Sequence, residues 1–116
     1  MQEWKKKISE RYAALLSEAS PFFLKQEYNI EEFANDLATN RSYASRFVNE
    51  VLGTSFPTLL NKLRLAYIIR MKHENPKEPI CRLVAAAGYK NAHSFRRAFY
   101  REYSITPKVF FKKQGI

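Results

Sequence analysis

The chain has 116 residues, 46% of them hydrophobic, enough apolar material for the core of one small domain. Twenty Lys and Arg against eleven Asp and Glu leave a formal charge of +9; this favours a polyanionic partner, nucleic acid ahead of an acidic membrane surface, because phosphates that meet clustered cations release counterions. One cysteine, two distant histidines and no clustered carboxylates leave nothing from which to assemble a disulfide, a metal set or a nucleophile–base pair, so neither a cofactor nor an enzymatic activity is expected.

The N-terminal "MQEWKKKISERYAALLSEAS" reads as a helix over roughly residues 3–18. Glu10 and Arg11 interrupt the apolar run that a signal peptide needs. No stretch approaches the roughly 18 apolar residues of a membrane span, and the expected location is the cytoplasm, at the nucleoid. Residues 1–20 are therefore an N-terminal helix or, by preference, a connector from an upstream domain, and that upstream part is free to be membrane-anchored. Ser20-Pro21 supplies a cap followed by a first-turn proline and opens a short helix through "FFLKQE". Asn29 with Glu32 three positions on forms a capping box ahead of "IEEFANDLA". Asn40 caps "RSYASRFVNEVL", which Gly53 stops in the left-handed conformation. A longer helix, "TLLNKLRLAYIIRMKHE", follows Pro57 and ends at Asn75-Pro76, where His73 suits the negative end of the helix dipole. After "PKEP" come "ICRLVAAA", stopped by Gly88, then "AHSFRRAFYREY", capped by Asn91, and "KVFFKK", opened by Thr106-Pro107. No stretch sustains the alternation of a strand, so the fold class is all-α.

Two of these segments repeat. From Asn40 and from Asn91 a cap is followed by apolar residues at helical spacing: Ala44, Phe47, Val48 and Val51 in the first, Phe95, Ala98, Phe99 and Tyr103 in the second. Each is preceded by a short helix and a tight turn. The pattern describes two helix-turn-helix units, at about 30–53 and 79–104, joined by a linker helix at about 57–74. Opposite the apolar stripes stand Arg41, Ser42, Ser45, Arg46 and Asn49 in the first unit and His93, Arg96, Arg97 and Tyr100 in the second. Arginine paired to guanine O6 and N7 is the commonest direct readout in a major groove, and Asn or Ser completes a base-edge pattern. The plainer reading is a solvated face, which two matched helices make less sufficient. Asn40 and Asn91 are explained as caps, while the N–H groups they adjoin also suit a phosphate. Cys81 reads as an inert packed or boundary residue.

The segments "NRSYASRFVNEVLGTSFPTLLNKLRL" and "ICRLVAAAGYKNAHSFRRAFYREYSITPKVFF" resemble the DNA-binding domain of AraC/XylS-type bacterial transcription regulators, over about Ile30 to Phe111. The resemblance rests most on "GYKNAHSFRRAFYREYSITP". It implies an AraC-type domain over 21–116, with a rigid helix between two homeodomain-like units. One recognition helix from each would enter successive major grooves on one DNA face, reading half-sites about 34 Å apart. By position the base-reading candidates are Arg41, Ser42, Ser45, Arg46, Asn49, Ala92, His93, Arg96 and Arg97; the phosphate candidates are Asn40, Lys90, Asn91, Tyr100 and Lys108. Four positions depart from the pattern: Leu83-Val84 where Ile-Ala is frequent, and Ala38 and Ser104 where glycine is frequent in the turns.

The expected function is sequence-specific binding of double-stranded DNA as the output domain of a larger sensory protein. An upstream sensory or dimerisation domain and RNA polymerase are the further expected partners, with Asp36 and Glu50 as polymerase-facing candidates that an ordinary solvated carboxylate explains equally well. No effector pocket and no small-molecule ligand are apparent. The alternative is a helical protein-interaction module whose basic face holds an acidic partner. RNA binding would require aromatic rings exposed for stacking, whereas most of the rings here lie on apolar stripes.

Overall fold

The computed structural model describes residues 2–19 and 21–116. Among these there are seven α-helices and no strand: α1 (Glu3–Leu16), α2 (Ile30–Asp36), α3 (Arg41–Arg46), α4 (Phe56–Glu74), α5 (Ile80–Ala86), α6 (Ala92–Tyr103) and α7 (Pro107–Lys113). The chain divides into two compact units, Met1–Leu60 and Asn61–Ile116, with α4 contributing residues to each.

In the first unit α1 ends at Leu16, two residues before the expected end. The Ser17 hydroxyl turns back to the carbonyls of Ala13 and Ala14, at 3.1 and 3.0 Å, and competes with a further helical turn. The cap expected at Ser20 lies outside the described residues. Beyond it Pro21 begins only a 3-10 turn, Phe22–Leu24, instead of a helix through Glu27. Burial of aromatic rings decides this: Phe23 is buried, and Phe22 stacks on Phe33 at 5.7 Å and meets Tyr12 and Tyr28. Asn29 Oδ1 accepts from the Glu32 N–H at 2.9 Å, but the Glu32 carboxylate pairs with Lys25, so only half of the capping box forms.

Helix α2 stops at Asp36, with Ala38 left-handed at φ +54°. Arg11 of α1 donates to the carbonyls of Leu37 and Ala38, both at 3.1 Å, satisfying acceptors that the helix end leaves open. Asn40 Oδ1 then accepts from the Tyr43 N–H at 2.9 Å and starts α3. The regular helix expected over 41–52 holds only to Arg46; Phe47–Val51 form a π-turn, closed by the Leu52 N–H on the Phe47 carbonyl at 3.2 Å. Gly53, at φ +67°, ends it. Phe33, Leu37, Ala44, Phe47 and Val48 make the buried centre, with Tyr12 of α1 edge-on to Phe33 and Phe47.

The second unit repeats this plan. Helices α2 and α5 are both seven residues long and start at Ile30 and Ile80. Ala38 and Gly88 occupy the same left-handed corner, and the following N–H of Thr39 or Tyr89 bonds back to Ala34 or Val84 at 2.9 and 3.3 Å. One extra residue, Lys90, precedes the second cap, Asn91, whose Oδ1 accepts from the Ser94 N–H at 2.8 Å. Leu83, Val84, Ala87, Phe95, Ala98 and Phe99 are buried, so the enlarged Leu83-Val84 pair is accommodated within α5. Ser104 takes the left-handed turn at φ +62°, and Thr106 Oγ1 caps α7. Cys81 is exposed, not packed: α5 turns Leu83 and Val84 inward and Cys81 outward. Arg64, only 7% exposed, lies with its guanidinium 5.5 Å from the Tyr89 ring, and burial lowers its pKa.

Candidate nucleic-acid interface

Helix α6 presents the simpler of two candidate faces. Its inward positions are taken by Phe95, Ala98 and Phe99, which turns Ala92, His93, Arg96, Arg97 and Tyr100 to solvent. Tyr100 is 59% exposed, large for an aromatic side chain. Arg96 and Arg97 have no acidic partner among the described residues. Asn91 uses its Oδ1 as a cap and keeps its amide N–H groups, while Lys90 and Lys108 stand exposed at the start of α6 and on α7.

Ala92 and Arg96 also line an open groove of about 570 Å³ shared with Ile80, Val84, Phe95 and Phe111. No pocket is apparent in the sequence because this groove arises where α5, α6 and α7 meet, a packing that helical periodicity does not encode. His73, expected to serve the end of α4 by its charge, has Nε2 3.1 Å from Oε1 of Gln114.

The face on α3 is more constrained. Ser42 and Ser45 are exposed, with no side-chain hydrogen bond among the described residues, and Arg41 Nη1 pairs with Glu31 at 3.0 Å on the surface. Arg46 is tied on two sides: Nε donates to Glu50 Oε2 at 2.8 Å, and the guanidinium carbon lies 4.7 Å from the centre of the Trp4 ring and 5.8 Å from that of Tyr43. Glu50 Oε1 meets Lys5 Nζ at 3.1 Å, so one carboxylate is shared between Lys5 of α1 and Arg46 of α3. The bond from Arg46, followed by that from Lys5, holds the Glu50 carboxyl below its ordinary pKa. Asn49 is exposed but belongs to the π-turn, where i→i+5 bonding departs from the regular helix that the sequence predicts over 41–52. The structure thus brings Arg41, Ser42, Ser45 and Arg46 together on the regular turns and places Asn49 in the π-turn that follows.

Trp4, Lys5, Tyr43 and Glu50 surround the first face without having been singled out as part of it. The i,i+4 spacing of Arg46 and Glu50 was a legible signal; nothing local joins residue 4 to residue 46. Of the two carboxylates considered for a polymerase, Glu50 is engaged as described and Asp36 accepts from the Tyr28 hydroxyl at 2.5 Å. Burial, then that bond, raises the Tyr28 pKa.

A family model described as a helix-turn-helix domain matches residues 33–113. Among solved structures, the chain is similar to the C-terminal domain of AraT, a response regulator from Geobacillus stearothermophilus, with 21% identity, a TM-score of 0.77, and coverage of 97% of this chain and 88% of that one. It is also similar to a DNA-binding transcriptional dual regulator from Escherichia coli K-12, with 16% identity, a TM-score of 0.71, and coverage of 99% and 95%. A protein of unknown function from Listeria innocua has 20% identity and a TM-score of 0.70, with 90% and 94% covered. Comparison with curated protein sequences returns no match.

Proposed function

Because the chain belongs to the AraC-type helix-turn-helix family, a family of DNA-binding transcription-regulator domains, we propose that it reads double-stranded DNA sequence-specifically, placing α3 and α6 in successive major grooves. The observation that carries this reading is the paired construction. Two equivalent Asn-capped helices each bury an apolar stripe and leave an arginine-bearing face outside, and on α6 neither Arg96 nor Arg97 has an acidic partner among the described residues. Arg96 and Arg97 are the base-reading residues of the second unit, with Ala92 and His93 beside them; Arg41, Ser42, Ser45, Arg46 and Asn49 serve the first. Asn40, Lys90, Asn91, Tyr100 and Lys108 hold phosphates, fixing the register that base contacts then exploit.

The module acts by binding, not by catalysis. It serves as the output part of a cytoplasmic regulator, with a sensory or dimerisation domain upstream and RNA polymerase as a further partner. Among the described residues no helix is long and apolar enough to cross a membrane.

Selection from random double-stranded DNA at near-physiological salt tests the reading. Two enriched blocks about one helical turn apart are expected. A single block would restrict reading to one unit, and retention without enrichment would favour an acidic-partner module. On the selected site Arg97→Ala should weaken binding by about 1–3 kcal/mol and relax preference at one base pair. Equal loss on scrambled DNA would assign Arg97 to the backbone.

A further inference from the structure

We infer that α1 is part of the reading apparatus of the first unit: Trp4 and Glu50 are positioning residues that hold the Arg46 guanidinium in a geometry ready for a base edge, with Lys5 holding Glu50. This rests on the proposal that Arg46 reads a base. A guanidinium has five N–H donors in a planar fork. Glu50 takes the Nε edge and the Trp4 ring covers a face. Neither contact consumes the edge formed by the two terminal nitrogens, the edge that can fork to O6 and N7 of guanine.

The arrangement also addresses two difficulties of an exposed arginine reader. A long side chain must give up its rotamer freedom to make a bidentate contact, and an arginine already held by stacking and an ion pair has given up part of it before DNA arrives. A carboxylate near DNA repels phosphate, but Glu50 divides its oxygens between Arg46 at 2.8 Å and Lys5 at 3.1 Å, so the cluster of the three keeps one net positive charge. Trp4 is itself held by Tyr43, 5.0 Å between ring centres, which lies on α3 and fixes the indole to the same helix that carries Arg46. The sequence-distant α1 thereby supports the recognition helix from its flank.

The experiment measures, for the intact chain, the ratio of affinities for the selected site and for single-base-pair variants of it. The ratio is unaffected by a change in the fraction folded, so a loss of stability does not imitate the result. Arg46→Ala identifies the base pair that Arg46 reads. Trp4→Ala should then lower discrimination at that same pair about two- to fivefold, the range set by an exposed cation–π contact. Trp4→Phe should restore most of it, Glu50→Gln should lower it at the same pair, and Trp4→Ala added to Arg46→Ala should cause no further loss there. Unchanged discrimination in Trp4→Ala and Glu50→Gln, with Arg46→Ala still selective, would overturn the positioning role and leave Arg46 as an independent reader. An Arg46→Ala chain with no base-pair-specific loss would instead remove the reading on which the inference stands.

Discussion

At the scale of single residues, the turn at Ala38 separates what a backbone requires from what a sequence supplies. The corresponding corner of the second unit is Gly88, at φ +92°, whereas Ala38 must hold φ +54° with a Cβ. An L-residue there loses about 1–2 kcal/mol relative to glycine, while glycine loses about 0.4–1 kcal/mol through the greater freedom of its unfolded chain. Ala38→Gly should therefore stabilise the protein by roughly 0.5–1 kcal/mol and raise the melting temperature by a few degrees; a lower melting temperature would mean that the Arg11 bonds to Leu37 and Ala38 already relieve the strain. Trp4, the only tryptophan, reports on a second residue-scale property. Because Arg46 and then Lys5 depress the Glu50 pKa, the contribution of Glu50 is present above the unfolded carboxyl value and is lost as the pH falls through the lower folded one. The fluorescence of Trp4 should titrate with a midpoint below the usual glutamate value of about 4.3, and Arg46→Ala should move that midpoint upward. A midpoint at or above the usual value in the unaltered chain would show that the ion pair does not persist in solution.

At the scale of elements, the two units show why so much of the fold was legible. Caps and stops are local chemistry, and Asn29, Asn40, Asn91, Thr106, Gly53 and Gly88 each mark a boundary with a hydrogen bond or a left-handed residue. Six core slots correspond between units: Phe33, Ala34, Leu37, Ala44, Phe47 and Val48 in one, Leu83, Val84, Ala87, Phe95, Ala98 and Phe99 in the other, all buried. Sizes exchange between neighbouring slots, Ala44 and Phe47 against Phe95 and Ala98, which keeps the volume while changing its arrangement, the kind of change that cores tolerate. What escaped the sequence depends on tertiary packing: the π-turn after Arg46, the shortened helix after Pro21, the groove beside Arg96, and the link from Trp4 to Arg46. The caps themselves are open to test. Asn91→Ala should lower stability by about 1 kcal/mol by leaving the Ser94 N–H without its side-chain acceptor, and Asn91→Gly should cost only a few tenths. Equal losses for the two changes would mean that Asn91 matters for something other than its cap.

At the scale of the whole molecule, the charge belongs almost entirely to one unit. Met1–Leu60 carries seven Lys and Arg against eight Asp and Glu, a net −1; Asn61–Ile116 carries thirteen against three, a net +10. Attraction to DNA at long range is a sum over charges, so the second unit must supply nearly all of it, and the first must contribute through contacts made at close range. On the proposed reading both units read bases, and they are unequal in long-range attraction, which the second supplies toward any duplex. Lys108→Gln removes one exposed cation from the basic unit and should lower affinity for selected and scrambled DNA by the same factor. It should also reduce the slope of log K against log salt by about 0.9. Ser45→Ala, in the near-neutral unit, should leave that slope unchanged and alter only the ratio between selected and scrambled sites. A change of ratio with Lys108→Gln would make Lys108 a base contact and not a phosphate contact, and a change of slope with Ser45→Ala would mean that this neutral side chain governs how many phosphates the chain neutralises.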